Sequence, residues 1–492
     1  MWPVIRRSRT SSTAPHRRYA PETAQVSARV SVPSRLRSWT GLYPGEPENC
    51  RRDYRHFLPV LAHLGLLFAV FRLFRVEGRG FQTVVLIALA ALPIHYLLPF
   101  RWKKPLSVAV SIVGLAYVFG AATAAGVLAL AALLIGVCYL PIAWKWRAGT
   151  VAALALTFAA LRPGFAEAVI PAAVWPVLAT MFMFRMIIYL YELKHAKAPE
   201  SLIDVLGYFF LLPNYCFLHF PVIDFRTFQR GYFANNVHAT QRAGLRMMFR
   251  GTTHLLLYRL IYHEMLITPD EVHGPVELAG YLVCNYLLYL RVSGQFHLAC
   301  GMLHLFGHTL PETHRNYLLA ESFTDYWRRI NIYWKDFMIR VVFNPVVFGL
   351  KRRPQPLALA AATAVVFVTT WLLHAYQSYW LRGSWGFSLP DFLFWGMLGL
   401  LVLLNVQLDA RRSRASRAKA DSRDPRALAL RSVRVAATFV TIALLWSLWS
   451  SPSVSSWAGM LSRGLAGAWR VPEWVNACPN LFNFHADNLS SL

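Results

Sequence analysis

Acidic residues are scarce. The 492-residue chain carries 24 Asp and Glu against 50 Lys and Arg, a formal net charge of +26, and only 15% of its residues are charged; an average soluble domain has about 25%. With 56% hydrophobic residues in many separate runs, there is too little polar surface to enclose them in one solvated core, which excludes an ordinary soluble fold. The six cysteines (Cys50, Cys138, Cys216, Cys284, Cys300 and Cys478) form no C-x-x-C pair, and four lie within or beside apolar runs. Neither a zinc ligand set nor a disulfide framework follows, and structural thiols are the plainer reading. A Gly-rich phosphate loop and zinc-finger spacing are also missing, so the positive charge gains no support as a nucleic-acid footprint. The cations fall between apolar runs and in two tails, where Lys and Arg hold cytoplasmic loops against anionic lipid.

What is present is a succession of apolar runs. Residues 1–56 are Arg-, Ser- and Pro-rich and read as a basic, disordered cytoplasmic tail; no apolar stretch follows the first charges, so no signal peptide is read there. Runs follow at about 57–74, 81–100, 105–120, 122–144, 149–161 and 165–191, punctuated by RWKK at 101–104 and KWR at 145–147. A span needs about 20 residues. The core extends to 408, a basic cytoplasmic loop occupies 409–434, and a last span near 435–450 leads into a tail carrying Trp457, Trp469 and Trp474, which suit a membrane interface. The expected fold is all-α and polytopic, with ten to twelve transmembrane helices and further amphipathic or re-entrant helices.

Between 182 and 233 the texture changes. Arg185, Glu192 and Lys194 enter an apolar helix, and Pro213 and Pro221 interrupt the next run; broken helices at membrane depth are tolerated where protein or a water-filled cavity surrounds them. His219 and Asp224 match a His-x4-Asp acyltransferase pattern, but two fixed positions in six residues carry little weight, and Pro221 between them argues for a structural role. Residues 235–268 mix Arg242, Arg246, Arg250 and Arg259 with Leu, Met and Phe at spacings of three and four, which reads as a helix on the membrane surface or packed under the bundle. His254 and His263, nine apart, do not share a ligand face.

The stretch 293–380 is the focus of the chain. Residues 322–343 are too charged to span, yet Trp327, Ile330, Trp334, Phe337, Met338 and Val341 recur at helical spacing, giving an amphipathic, partly embedded helix. In the apolar segment 355–380, Thr370, His374, Gln377 and Ser378 share one face. A histidine at membrane depth is costly and by default faces the bundle interior and has a task, although a buried hydrogen-bonding histidine fits the same pattern.

The blocks VSGQFH (292–297), LFG (305–307), LPETH (310–314), NYLLAES and DYWRRINIY stand in order. In that order and spacing they resemble the signature region of the membrane-bound O-acyltransferase family, especially its bacterial polysaccharide- and teichoic-acid-modifying branch. His374, 43 residues after Asn331, stands at the place of the family's second histidine. The resemblance covers roughly residues 180–380. Two positions depart from it: Asn331 replaces the first family histidine, as in the eukaryotic lipid- and protein-acylating branches, and His297 replaces an Asp.

The resemblance implies an acyltransferase with a central tunnel that joins a cytoplasmic donor side to an acceptor side. No bound cofactor is implied; an acyl-CoA or acyl-carrier-protein thioester is the co-substrate. The acceptor is a hydroxyl on an exported glycan or cell-envelope polymer, or alternatively on a lipid or small hydrophobic alcohol. The expected location is a bacterial inner membrane with the N-terminal tail in the cytoplasm, in contact with lipid and, for a polysaccharide modifier, with extracytoplasmic partner proteins. Chemically, a base must take the acceptor proton, which suits His374, while Asn331 orients the acceptor or donates to the oxyanion. Trp327, Arg328, Arg329, Lys335 and Gln377 complete the expected substrate site, the cations meeting donor phosphates or lipid headgroups. A lipid-linked glycosyltransferase would want acids in its first loop, where only Glu77 lies, and a transporter would show an internal repeat, which is not seen.

Overall fold

The computed structural model describes residues 41–161, 182–195, 201–211, 222–411 and 425–468. Among these it is all-α, with no strand and two isolated backbone bridges, Gly41 with Arg52 and Tyr232 with His308. Helices α1 (Tyr54–Leu73), α2 (Arg79–Leu97), α3 (Phe100–Phe119) and α4 (Ala121–Cys138) pack each against the next. Asp53 caps α1 by accepting from Arg55 N at 2.9 Å. Gly120 joins α3 to α4 at φ 86°, a left-handed turn that favours glycine. After α5 (Trp144–Leu161) come the short helices α6 (Met183–His195), α7 (Leu202–Phe210) and α8 (Phe225–Gly231). Then α9 (Val237–Leu260), α10 (Pro275–Leu287) and α11 (Leu290–Leu305) lead to α12 (Phe323–Ile330), α13 (Ile332–Met338) and α14 (Asn344–Gly349). The chain closes with α15 (Gln355–Arg382), α16 (Leu389–Arg411), α17 (Pro425–Ser450) and α18 (Val454–Ala466).

Seven of these helices, α1 to α4, α15, α16 and α17, are long and apolar enough to cross a membrane, so the chain is a multi-pass membrane protein. Among the described residues the count is therefore seven, beside the ten to twelve read from the runs. The other runs form short helices or, in α5 and α9, carry cations among the apolar residues, and the run at 165–191 lies partly outside the described residues.

Two segments expected to be unstructured are folded. Residues 41–53 lie on the bundle: Arg52 pairs with Glu46 at 2.7 Å, both buried, with Tyr43 over the guanidinium at 4.0 Å. Residues 425–434, expected in the basic loop, form the first turns of α17, and Arg431 pairs with Glu321 at 2.7 Å. The RWKK punctuation is also more than a surface marker. Lys103 is buried and donates to the carbonyls of His95 and Tyr96 at the end of α2, where helix carbonyls otherwise lack partners.

Helix α9, read from sequence as lying on the membrane surface or packed under the bundle, is packed against other helices on two sides. It runs alongside the span α1 in the same direction: His238 meets His56 with ring centroids 5.3 Å apart, Phe249 meets His63 at 6.0 Å, and Arg259 donates to the Phe74 carbonyl. Its other face lies antiparallel on α11 at backbone contact. A Cβ on Gly244 would stand 2.7 Å from the Gly301 carbonyl oxygen, and one on Gly251 2.7 Å from that of Gly294. Two glycines seven residues apart on each helix therefore set the approach, the small-residue packing that membrane helices use. Arg242, Arg246 and Arg250 fall on the exposed face.

Candidate functional site

The amphipathic stretch 322–343 is not one helix. Ser322 caps α12 by accepting from Asp325 N at 3.2 Å, and the helix stops at Asn331, whose backbone (φ −145°, ψ 87°) is not helical. Asn331 then caps α13, its Oδ1 accepting from Trp334 N at 3.1 Å. The groups that the break frees are taken up by the LPETH loop and its neighbours. Arg315 N donates to Arg329 O (3.0 Å), Ile332 N to Thr313 O (2.9 Å), Tyr333 OH to Pro311 O (2.9 Å) and Tyr289 OH to Ile330 O (3.3 Å). Buried backbone polar groups need such partners, so the loop and the break require each other. With Oδ1 engaged in the cap, the other end of the Asn331 amide is the NH2, a donor.

Trp334 links this break to His374. Its Nε1 donates to Thr370 Oγ1 at 3.4 Å, and its ring lies 5.5 Å from the His374 ring. Thr370 and His374 thus share the inward face of α15 that their spacing predicted. On its other sides His374 stacks on Trp395 (4.7 Å, 28°) and meets Trp449 edge-on (6.3 Å, 88°). Trp449 is held in turn by Asp391, which accepts from its Nε1 at 2.5 Å and from Ser388 Oγ at 2.5 Å. Trp395 is only 8% exposed and its Nε1 has no hydrogen-bond partner among the described residues. A buried donor without a partner costs about 1–3 kcal/mol, and this one sits on a ring stacked against His374.

The other expected site residues separate into different roles. Trp327 is buried and packs on Phe367 at 4.7 Å, so its ring belongs to the core between α12 and α15. Arg329 pairs with Asp325 at 2.8 Å and Lys335 with Asp336 at 2.8 Å. Arg328 is half-buried on the last turn of α12, and Gln377 is half-buried three residues after His374. Asp224 has the structural role expected of it. It caps α8, accepting from Thr227 N at 2.9 Å, and meets Arg340 at 3.1 Å, which also pairs with Glu192 at 2.9 Å. His219, Pro213 and Pro221 lie outside the described residues.

A second polar cluster was missed from sequence. His254 on α9, Ser293 and His297 on α11, and His314 in the LPETH loop come together from three segments. His254 Nδ1 and Ser293 Oγ are 2.6 Å apart, and His297 Nδ1 lies 2.6 Å from the Ser293 carbonyl. The His297 ring is 5.3 Å from His254 and 5.7 Å from His314. His314 Nε2 reaches Tyr289 OH at 3.0 Å, the hydroxyl that also touches the carbonyl just before Asn331. Burial holds the His314 pKa well below the ordinary histidine range. From Tyr289 the ring contacts continue through Trp446 (5.4 Å) and Trp449 (5.1 Å) to His374, so both polar centres line one aromatic wall. Among the described residues no group of three His, Cys, Asp or Glu side chains could hold a metal ion.

Fold and site together define an all-α, multi-pass membrane protein with two histidine-bearing centres on either side of a broken helix. No family model matches the chain, and no curated protein matches it.

Proposed function

We propose that the chain is a membrane-embedded O-acyltransferase that moves an acyl group from a thioester donor, acyl-CoA or acyl-carrier protein, to a hydroxyl acceptor. His374 is the base. It takes the acceptor proton as the hydroxyl oxygen attacks the thioester carbonyl carbon, and the carbonyl electrons collect on oxygen. The tetrahedral intermediate then collapses, the C–S bond breaks, and the imidazolium returns its proton to the departing thiolate. The Asn331 amide NH2 and the Trp395 N–H are the donors for the developing oxyanion, a role worth about 2.7–4 kcal/mol for one donor. The single observation that carries this reading is the orphan Trp395 Nε1 stacked on His374, with Trp334 linking that histidine to Asn331. The ordered blocks from VSGQFH to DYWRRINIY support the same reaction class, an acetyl or other short acyl group, an exported glycan as acceptor, and a bacterial inner membrane with the N-terminal tail inside.

The test is release of CoA from acetyl-CoA by purified protein in nanodiscs. Wild type should release CoA slowly to water, and His374→Ala, folded as judged by its thermal midpoint, should not. Equal release by both proteins would remove His374 from the chemistry.

A further inference from the structure

Three arginines stand where the outside of a membrane bundle should carry none. Helix α9 runs the length of the span α1 in the same direction. Its second residue, His238, meets His56, Phe249 meets His63, and Arg259 reaches the Phe74 carbonyl just past the end of α1. His63 is the tenth of the twenty residues of α1. Arg242 and Arg246 therefore lie beside the first half of the span, and Arg250 lies close to its middle. All three are exposed, and none makes a hydrogen bond or ion pair among the described residues. A charged side chain at bilayer depth is costly and needs water or a counter-charge. Helical side chains lean towards the helix N-terminus, so these guanidinium groups reach towards the end of the bundle where Arg51 and Arg55 are also exposed. The RWKK turn lies at that same end, since Arg52 donates to the Leu98 carbonyl.

Farther along the same face the residues change character. Thr253 follows, then Leu257 and Leu260, all exposed, while α1 exposes Leu66 and Leu73 over the same levels. At 1.5 Å per residue, the cationic part covers about 12 Å and the part beyond it about 15 Å. Cations followed by leucines are the order of a phospholipid, phosphate first and acyl chain beyond. The guanidinium fork suits a phosphate, and basic grooves between membrane helices take anionic headgroups. A second copy of this chain, with its net charge of +26, offers few carboxylates. A partner helix would need acids on three successive turns at bilayer depth, which is itself costly.

We infer that the outward face of α9, with the neighbouring face of α1, is a binding groove for an anionic phospholipid. Arg242, Arg246 and Arg250 hold its phosphate, and an acyl chain lies along Leu257 and Leu260. The groove is separate from the candidate acyl-transfer site and does not depend on that reaction.

The experiment measures lipid binding to the purified chain in detergent by native mass spectrometry. The probes are phosphatidylglycerol and phosphatidylcholine with the same acyl chains. Wild type should bind phosphatidylglycerol at least roughly tenfold more tightly, and Arg242→Gln, Arg246→Gln and Arg250→Gln combined should bring the two lipids within about threefold of each other. A control that loses the same charge elsewhere, Lys351→Gln, Arg352→Gln and Arg353→Gln in the exposed turn before α15, should keep the wild-type preference. If the triple arginine variant does not fold, the three single substitutions carry the test, each weakening phosphatidylglycerol binding about threefold. Equal binding of the two lipids by wild type overturns the groove. So does an unchanged preference in the folded triple variant or in all three single variants, or an equal loss in the control. Displacement of the lipid by an equal concentration of inorganic phosphate also overturns it, because the leucines would then contribute nothing. Any of these results leaves the arginine stripe to an acid-bearing partner helix or to solvent.

Discussion

The glycine seam between α9 and α11 makes a sharp prediction, because the same substitution can be placed where it must clash and where it cannot. An alanine Cβ at position 251 would lie 2.7 Å from the Gly294 carbonyl oxygen, 2.9 Å from Leu298 Cγ and 3.1 Å from His297 Cβ. Ordinary contact begins at 3.4 Å, so the two backbones must part by about 0.7 Å (3.4 − 2.7). Backbone atoms cannot rotate aside as a flexible side chain can. Overpacking of this kind costs about 1–3 kcal/mol. At Gly65 and Gly136, both within spans, a Cβ meets nothing within 4 Å. Alanine there gains helix propensity of up to about 1 kcal/mol. Scaling the usual midpoint shift to a chain of this length gives roughly 1–2 °C per kcal/mol. Thermal unfolding in nanodiscs should therefore show Gly251→Ala several degrees below wild type, with Gly65→Ala and Gly136→Ala at or above it. A Gly251→Ala protein as stable as Gly65→Ala would refute the close approach of the two helices and the cluster built upon it.

Three further outcomes follow from the site. Asn331→Asp keeps an N-cap acceptor for Trp334 N and loses the amide donor, so its thermal midpoint should stay near wild type while CoA release falls roughly 100-fold; retained activity would reduce Asn331 to a cap. Trp395→Phe keeps the stack on His374 and deletes the orphan donor, so it should slow release at least tenfold without loss of stability, and unchanged release would remove that N–H from the chemistry. Arg340→Met leaves Glu192 and Asp224 together without their shared cation and should destabilise by about 1–3 kcal/mol, the buried-pair cost discounted for an arginine 40% exposed. Burial and Asp224 raise the Glu192 pKa, whereas Thr227 and Arg340 outweigh burial at Asp224 and lower its pKa. Protonated Glu192 relieves the repulsion, so the loss should be smaller at pH 5 than at pH 8 and should be offset by Glu192→Gln; an equal loss at both pH values would refute this.

The elements that were legible in the sequence are those whose causes are local. The apolar runs gave the all-α, membrane-spanning class, and the spacing of Thr370 and His374 gave the inward face of α15 that meets Trp334. The break at Asn331 was not visible, because it is held by hydrogen bonds to Thr313 and Arg315 from a loop some twenty residues earlier, and periodicity continues across it. For a related reason the choice between a surface helix and a packed one was left open for α9. Arg242, Arg246 and Arg250 dominate its exposed face and hide the signal on the other, which was the seven-residue spacing of Gly244 and Gly251 repeated at Gly294 and Gly301. The histidine cluster draws on three segments between 254 and 314, a coincidence that only the folded chain creates. Lys103 shows the converse error, since a cation read as loop punctuation turned out to be buried.

The most direct test of the account is acetyl-CoA turnover by wild type and His374→Ala in the same nanodiscs. The account predicts slow, water-driven CoA release by wild type and its loss in a folded His374→Ala protein. Equal release by the two, or none by wild type with acyl-CoA or acyl-carrier-protein donors, would contradict it.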